Sequence, residues 1–272
     1  MLTDFLTVLL ILLALVGLVS LGFVIPPRPF RGHPAPSQPG EPQPLRPDLP
    51  EPVRRHFAET LGETPPRIDS AVVWGRGRAC ISGVWAPLRF RGWYRPGEAF
   101  ARRLEITWFQ RPVMRGFDAW NGREGVFELR GRSERGEHTD QGQVLALWAD
   151  AVWTPAVFVH DPRVRWEPVD EHTARLIVPY KDGTESLLAH FDPQTGRMTH
   201  ISAMRFSEEG DMKEPWRVDL LEWKTIDGLL LPYHTSIAWG ESGSPWSYWT
   251  LDGVAYNVNV SDHLGESGSI QP

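Results

Sequence analysis

Two aspartates are the residues of this sequence best suited to acid–base chemistry. Asp118 lies between Phe117 and Trp120, and Asp150 has a tryptophan two positions before it and another three positions after it. An apolar environment disfavours the charged carboxylate, so it raises the pKa toward the range that proton transfer needs. The same environment suits a structural hydrogen-bond acceptor. We therefore assign no catalytic residue, and we single out Asp118 and Asp150 as the two to follow.

Thirteen tryptophans are the second chemical feature of the chain. A tryptophan offers a wide apolar ring with one N–H donor, and it is found both in ordinary cores and in the walls of apolar cavities. A curved sheet with a helical cap would have a concave side for such rings to line. The candidate ligand-binding residues are Phe90, Trp93, Trp108, Trp153, Trp166 and Trp239.

Sequence motifs for other chemistries are missing. The segment Gly75-Arg76-Gly77-Arg78 matches a phosphate-binding loop only in its first three residues. No two of the nine histidines have the His-x-x-x-His spacing that places two metal ligands on one helix face. We expect no metal and no cofactor. Cys80 is the single cysteine, so an internal disulfide is excluded.

Most of the chain has the alternation of β-strands. Every second residue from Leu229 to Trp239 is apolar or aromatic except Thr235, which predicts one long strand. Four pairs typical of tight hairpin turns separate such segments: Asn121-Gly122, Asp182-Gly183, Asp227-Gly228 and Asp252-Gly253.

Two segments have helical spacing instead. Val53, Phe57 and Leu61 predict a helix over residues 51–61 that starts at a proline, and a second helix is expected over 141–153, before Pro155. The predicted fold class is mainly β (α+β): a curved antiparallel sheet or unclosed β-barrel with a helical cap.

The N-terminal segment predicts a membrane helix. Residues 5–25 contain no charge, and 16 of these 21 residues are Leu, Ile, Val or Phe. A helix of this length spans roughly 30 Å, the thickness of the hydrocarbon core of a bilayer. Asp4 precedes the run and no small-residue pair follows it, so we expect a single-pass anchor rather than a cleaved signal. Arg28 and Arg31 favour the cytoplasmic side for the domain that follows.

The expected domain organisation has four parts. Residues 5–25 are the transmembrane helix, 26–50 a Pro-rich linker, 51–260 a β-rich half-barrel domain and 261–272 a flexible tail. Eleven of the 27 residues from Pro26 to Pro52 are prolines. At about 3.1 Å per residue, an extended segment of this kind holds a domain up to roughly 80 Å away from the bilayer.

Charge is distributed unevenly along the domain. Residues 53–135 contain 16 arginines and 9 acidic residues, whereas residues 136–272 contain 9 basic and 21 acidic residues. A basic first half attracts anionic lipid head groups or an acidic partner, although the two halves can equally complement each other. Nucleic acid is not an expected partner, because the net charge is −6 and no recognition motif is present.

Several segments of the domain resemble a bacterial family of domains of unknown function with Trp-x-Pro, Pro-Trp and Gly-x-x-x-Pro signatures. The segments that carry the resemblance are 49–55, 85–94, 153–155, 164–170, 191–196, 215–216, 228–232 and 238–239. Members of this family look related in fold to the LolA and LolB lipoprotein carriers, in which an unclosed barrel capped by helices shelters acyl chains. The resemblance implies that fold and no activity. Where the family usually has a glutamate, this chain has Asp150, and its Trp153-Thr154-Pro155 lacks the family's middle aromatic residue.

The leading functional hypothesis is a membrane-anchored, non-enzymatic domain that binds an apolar ligand, such as a lipid or acyl chain, in the half-barrel. Its partner would then be the bilayer, through the N-terminal helix, together with that ligand. Two alternatives remain open at this stage. One is an acid–base hydrolase that acts on a membrane-associated substrate, and the other is a protein-interaction module on a stalk.

Overall fold

The domain is built on one antiparallel sheet. The computed structural model describes residues 2–207, 212–240 and 243–264. The sheet has 13 strands in the order β6-β5-β4-β3-β2-β1-β13-β12-β11-β10-β9-β8-β7, and within the described residues the end strands β6 and β7 do not pair. The predicted fold class, an unclosed and mainly antiparallel sheet with a few helices, is confirmed. The strands are β1 (Ala71–Ile81), β2 (Val84–Arg95), β3 (Ala99–Trp108), β4 (Arg111–Trp120), β5 (Gly125–Leu129), β6 (Arg132–Glu134), β7 (Arg165–Asp170), β8 (Thr173–Tyr180), β9 (Gly183–Phe191), β10 (Met198–Phe206), β11 (Lys213–Ile226), β12 (Leu229–Trp239) and β13 (Pro245–Tyr256).

In the described part of the chain, five α-helices accompany the sheet: α1 (Leu2–Val24), α2 (Glu51–Leu61), α3 (Glu137–Asp150), α4 (Val157–His160) and α5 (Ser261–Leu264). α2 occupies the predicted range, with a proline in its first turn and Val53 and Phe57 buried one helical turn apart. α3 starts four residues earlier than expected. A 3₁₀ turn, Ala151–Trp153, continues it to the predicted end.

Turn chemistry explains most of the hairpins. Asp227 and Gly228 both have positive φ, 51° and 83°, and they join β11 to β12 in a two-residue turn. Gly122, at φ 93°, lies in the loop between β4 and β5. Between β8 and β9, the residue with positive φ is Lys181, at 50°, one position before the predicted pair.

The predicted turn at Asp252-Gly253 is wrong, because both residues lie inside β13. The pairing with β1 skips Asp252, which makes it the extra residue of a β-bulge. A Cβ at Gly253 would overlap the ring of Trp74, so glycine is required here for close packing instead of for a turn. The Asp252 carboxylate pairs with Arg76.

The two faces of the sheet are covered differently. The inner face carries the main hydrophobic core, which α2, α3 and α4 cover; Trp148 of α3 and Phe158 of α4 are almost completely buried there. The outer face carries a smaller core around Val72, Ala101 and Phe117, and the C-terminal segment that includes Leu264 contributes to this core. Alternation along each strand therefore decides which of the two environments a side chain enters.

α1 stays largely outside the domain. It is the one described helix that is long and apolar enough to cross a membrane, from Thr3 to Val24, and only 6% of its most apolar stretch is buried. Its last turns nevertheless reach the sheet, where the amide N–H of Phe109 donates to the carbonyl oxygen of Gly22 at 3.0 Å.

The Pro-rich segment after α1 lies along the domain. Arg89 donates to the carbonyl oxygen of Arg28 at 3.3 Å. The backbone N–H of Gln38 donates to the carbonyl oxygen of Tyr256 at 2.9 Å, and the side chain of Leu45 is buried. These contacts differ from the expectation of a free spacer, because the extended backbone finds hydrogen-bond partners on the sheet. Of the predicted tail, residues 261–264 form α5, and residues 265–272 lie outside the described residues.

Candidate functional site

The two aspartates singled out in the sequence converge on one arginine. Arg102 points to the inner face from β3, and its Nε donates to Asp118 Oδ1 on β4 at 3.0 Å, while Nη2 reaches the second oxygen of the same carboxylate. Arg102 Nη1 donates to Asp150 Oδ2, at the end of α3, at 2.6 Å. The hydroxyl of Tyr94 on β2 donates to the same oxygen at 2.9 Å. The cluster of Tyr94, Arg102, Asp118 and Asp150 therefore joins three strands and a helix.

Burial sets the electrostatics of this cluster. Burial raises the pKa of Asp150 to about 6, against the opposing effects of the Arg102 charge and the Tyr94 hydrogen bond. Burial also disfavours the charge of Arg102, but the carboxylates of Asp118 and Asp150 outweigh it and raise the pKa of the guanidinium well above its ordinary value. Burial and the nearby Asp150 charge raise the pKa of Tyr94. Arg102 consequently stays charged at every pH at which the fold persists.

The cluster is arranged as a buried structural ion-pair network. Asp118 is 3% exposed and engages Arg102 with both of its oxygens, so its lone pairs are already committed to this bidentate pair. Aromatic rings enclose the guanidinium, which lies 5.6 Å from the ring centre of Phe100 and 5.1 Å from that of Trp249. A substrate would have to displace this packing before it could reach either carboxylate.

Sequence reasoning missed Arg102 and Tyr94. Arg102 has the same strand phase as Leu104 and Ile106, which pack in or against the inner core. An arginine in the phase of the core residues was the available signal, because a buried arginine requires carboxylate partners.

Three of the candidate aromatic residues lie in the inner core. Phe90 is stacked against Trp153 with ring centres 5.6 Å apart, and it meets Trp249 edge-on at 4.8 Å. The indole N–H of Trp153 donates to the carbonyl oxygen of Pro232 at 3.1 Å. The indole N–H of Trp166 donates to the carbonyl oxygen of Phe158 at 2.9 Å. Each N–H is satisfied by backbone, as packed core tryptophans require.

The other three are not among the buried residues of the inner core, although Trp239 packs against it. Trp93 is on the outer face, stacked under His263 of α5 at 4.0 Å. Trp108 donates its indole N–H to the carbonyl oxygen of Val19 in α1 at 3.0 Å. Trp239 lies near Arg205, 5.9 Å from the guanidinium. The structure thus distributes the six candidates over both faces and the end of the sheet.

A void of about 10 Å³ lies on the inner face beside α2, lined in part by His56, Phe57 and Met198. Such a volume holds about one water molecule and no acyl chain. His56 is buried there, its Nδ1 accepts the Met198 amide at 3.2 Å, and burial lowers its pKa to about 3.

A larger groove of about 560 Å³ lies where α1 meets the outer face of the sheet. Phe23 and Val24 at the end of α1 and the prolines that follow them form one wall, and β1, β2, β12 and β13 form the other. Its size falls within the range of small-molecule sites. The lining residues are Phe23, Val24, Pro26, Pro27, Arg76, Gly77, Arg78, Trp85, Ala86, Pro87, Tyr233, His234, Tyr248 and Thr250.

Two arginines of β1 face this groove in different ways. Arg76 is tied to Asp252, with Nε at 2.9 Å and Nη2 at 2.7 Å from the carboxylate oxygens. Arg78 lies between two rings, 4.9 Å from the centre of Trp85 and 4.7 Å from that of Tyr248. No salt bridge joins Arg78 to any acidic residue in the described part of the chain. Its N–H groups are therefore available to an anion.

The histidines on either side of the Asp192–Gly196 turn lie on neighbouring strands. His190 of β9 and His200 of β10 are stacked, with ring centres 4.1 Å apart. Burial lowers the pKa of both, that of His200 to about 4. Within residues 2–207, 212–240 and 243–264, no group of three or more His, Cys, Asp or Glu side chains is arranged to hold a metal ion.

Comparisons with known proteins identify a family and similar folds. The model of a family of unknown function, DUF6544, matches residues 41–251. No curated protein matches the chain. Among solved structures, a DUF1329 family protein from Desulfovibrio piger ATCC 29098 is similar with a TM-score of 0.42 and 13% identity, over 75% of this chain and 92% of that one. A LolA superfamily protein from Nitrosomonas europaea has a TM-score of 0.45 and 13% identity, over 73% and 90%. Identities and TM-scores at this level carry no information about function.

Proposed function

This chain belongs to DUF6544, a family of unknown function, and we propose that it is a membrane-tethered domain that binds a lipid in the groove beside α1. In this proposal residues 5–25 are a single-pass anchor and the domain lies on the cytoplasmic side, as Arg28 and Arg31 favour. The observation that carries the proposal is the 560 Å³ groove, whose wall includes the end of the membrane helix itself. The proposed site differs from the half-barrel cavity expected from the sequence.

The lining of the groove matches the two ends of a lipid. Phe23, Val24 and Trp85 offer apolar surface to an acyl chain, and each buried methylene contributes about 0.8 kcal/mol. Arg78 offers N–H donors to a phosphate, and stacking between Trp85 and Tyr248 holds the guanidinium in place. An anionic phospholipid satisfies both requirements.

Proximity to the bilayer strengthens this assignment. A lipid that leaves the leaflet next to α1 meets the groove without crossing water, because Phe23 and Val24 belong to both structures. Basic side chains near a membrane surface also attract anionic head groups, and each arginine contributes about 1 kcal/mol to the binding free energy. The arginine-rich strands β1 and β2 supply that attraction.

The test uses the full-length protein in detergent, after mass spectrometry has established that residues 5–25 are retained. Binding of fluorescent phosphatidylglycerol is compared with binding of fluorescent phosphatidylcholine. We expect R78Q to weaken phosphatidylglycerol binding about tenfold, or about 1.4 kcal/mol. R175Q is the matched control: it removes an exposed arginine of β8 outside the groove lining, and binding should not change. Equal affinities for wild type and R78Q would overturn the proposed site.

A further inference from the structure

The hairpin between β3 and β4 is docked onto α1. The indole N–H of Trp108 donates to the carbonyl oxygen of Val19, and the amide of Phe109 donates to Gly22, both at 3.0 Å. Gly22 is needed for this approach, because a Cβ there would overlap the Trp108 ring. These bonds fix the height of the hairpin tip along the helix.

That height corresponds to a membrane interface. Val19 lies five residues before the end of α1 at Val24, and at 1.5 Å per residue this places the Trp108 contact roughly 7–8 Å below the helix end. Amphipathic helices that lie in the interface bury their apolar face about 5–10 Å into the boundary between head groups and acyl chains, which is a comparable depth. Tryptophan is enriched at this depth, since its ring is apolar and its N–H is polar.

The composition of the tip fits the same environment. Trp108 and Phe109 meet edge-on at 4.7 Å, and the apolar Val113 is 55% exposed. Arg111 and Arg115 are exposed on β4, where they can reach anionic head groups. Phe109 and Gln110 both have positive φ, 47° and 64°, because they are the two central residues of the tight turn that joins Trp108 to Arg111.

We infer that the β3–β4 hairpin tip, residues 108–113, inserts into the membrane interface beside α1 and seats the domain directly on the bilayer. Trp108 and Phe109 enter the interface, and Arg111 and Arg115 contact anionic head groups above it. This inference rests on the proposed anchor and is independent of the ligand in the groove. It assigns to Trp108 a bilayer contact in place of the cavity-lining role expected from the sequence.

The test is depth-dependent quenching in vesicles of phosphatidylcholine and phosphatidylglycerol. The full-length protein carries C80S and one new cysteine with a fluorescent label, and the vesicles contain lipids with a quencher either near the head group or near the chain end. We expect the label of V113C, and that of F109C, to be quenched several-fold by the shallow quencher. The label of D182C, on the distant β8–β9 turn, should be affected little. L12C, within α1, should respond to the deep quencher.

The outcomes separate the two claims. In one outcome the label at residue 12 is quenched, but the labels of V113C and F109C are quenched no more than that of D182C. This result overturns the hairpin inference and leaves the anchor intact. The absence of quenching at residue 12 as well as at the tip overturns both. V113C guards against a local distortion by F109C, since Val113 is exposed and its replacement leaves the docked ring of Trp108 in place.

Discussion

Arginines on the two faces of the sheet lie in opposite environments. On the inner face, Arg102 is buried, and its donors are taken by Asp118 and Asp150. On the outer face, Arg78 is exposed and held between Trp85 and Tyr248, with no salt bridge among the described residues. Removing a buried ion from water requires compensation inside the protein, whereas an exposed ion keeps its solvation and can exchange it for a ligand.

This difference indicates where stability and recognition reside. The inner cluster ties α3 to three strands, so altering it should mainly change the free energy of unfolding. The outer arginines contribute little to the fold, so altering them should mainly change lipid binding. Each of the following predictions tests one side of this division.

The largest effect is expected for R102M. The substitution leaves the carboxylates of Asp118 and Asp150 buried without their partner, which typically destabilises a protein by about 3–5 kcal/mol. Denaturant unfolding of the full-length protein in detergent measures the change. R78M, which removes an exposed arginine, should stay within about 0.5 kcal/mol of wild type. Equal effects of R102M and R78M would contradict the division between the faces.

A second inner-face prediction concerns His56, which is buried in its neutral form. Its pKa is about 3 in the folded protein and near 6.5 when unfolded, so the unfolded state binds more protons in acid. Stability should therefore fall as the pH drops below 6.5, by about 3 kcal/mol at pH 4. H56N keeps an acceptor for the Met198 amide and should remove most of this acid sensitivity. An unchanged pH profile in H56N would assign the acid sensitivity to other groups.

Asp150 should have the opposite pH dependence. Its folded pKa of about 6 lies above the ordinary 3.8, so the native state binds more protons, and the stabilisation present below 3.8 is lost as the pH rises through 6. The groups that act on this carboxyl are Tyr94, Arg102, Asp118 and Arg205. In D150N, unfolding free energy relative to wild type should increase by about 2–3 kcal/mol between pH 4 and pH 7. A difference that does not vary with pH would exclude this titration.

Local signals in the sequence were sufficient for most of the fold. Alternation placed β12 from Leu229 to Trp239, and the Asp227-Gly228 pair marked its turn, because strand faces and tight turns depend on neighbouring residues. Asp252-Gly253 misled for a tertiary reason: Gly253 makes room for Trp74, 179 positions earlier in the chain. The path of the Pro-rich segment was equally inaccessible, since its hydrogen bonds reach residues as distant as Tyr256.

The candidate sites show the same difference between what local sequence predicts and what depends on tertiary contacts. Apolar neighbours identified Asp118 and Asp150 individually. The pairing of β3 with β4 brings Asp118 to Arg102, 16 positions away, and the packing of α3 against the sheet brings Asp150, 48 positions away. The groove is composed of short pieces from five parts of the chain, between Phe23 and Thr250, and no one of them has a motif. The match to DUF6544 confirms the family resemblance, and the unclosed sheet confirms the predicted fold class. Neither the resemblance nor the fold class determined the site.

The smallest predicted effect sharpens the contrast within the outer face itself. Arg76 faces the same groove as Arg78, but Asp252 holds its guanidinium through two donors. D252N should release Arg76 and strengthen phosphatidylglycerol binding about threefold, or about 0.6 kcal/mol, while phosphatidylcholine binding stays constant. R76Q should weaken phosphatidylglycerol binding less than R78Q, because the donors of Arg76 are already engaged. If D252N instead weakens phosphatidylglycerol binding, the groove does not respond to an additional available arginine, and its preference for an anionic head group must have another origin.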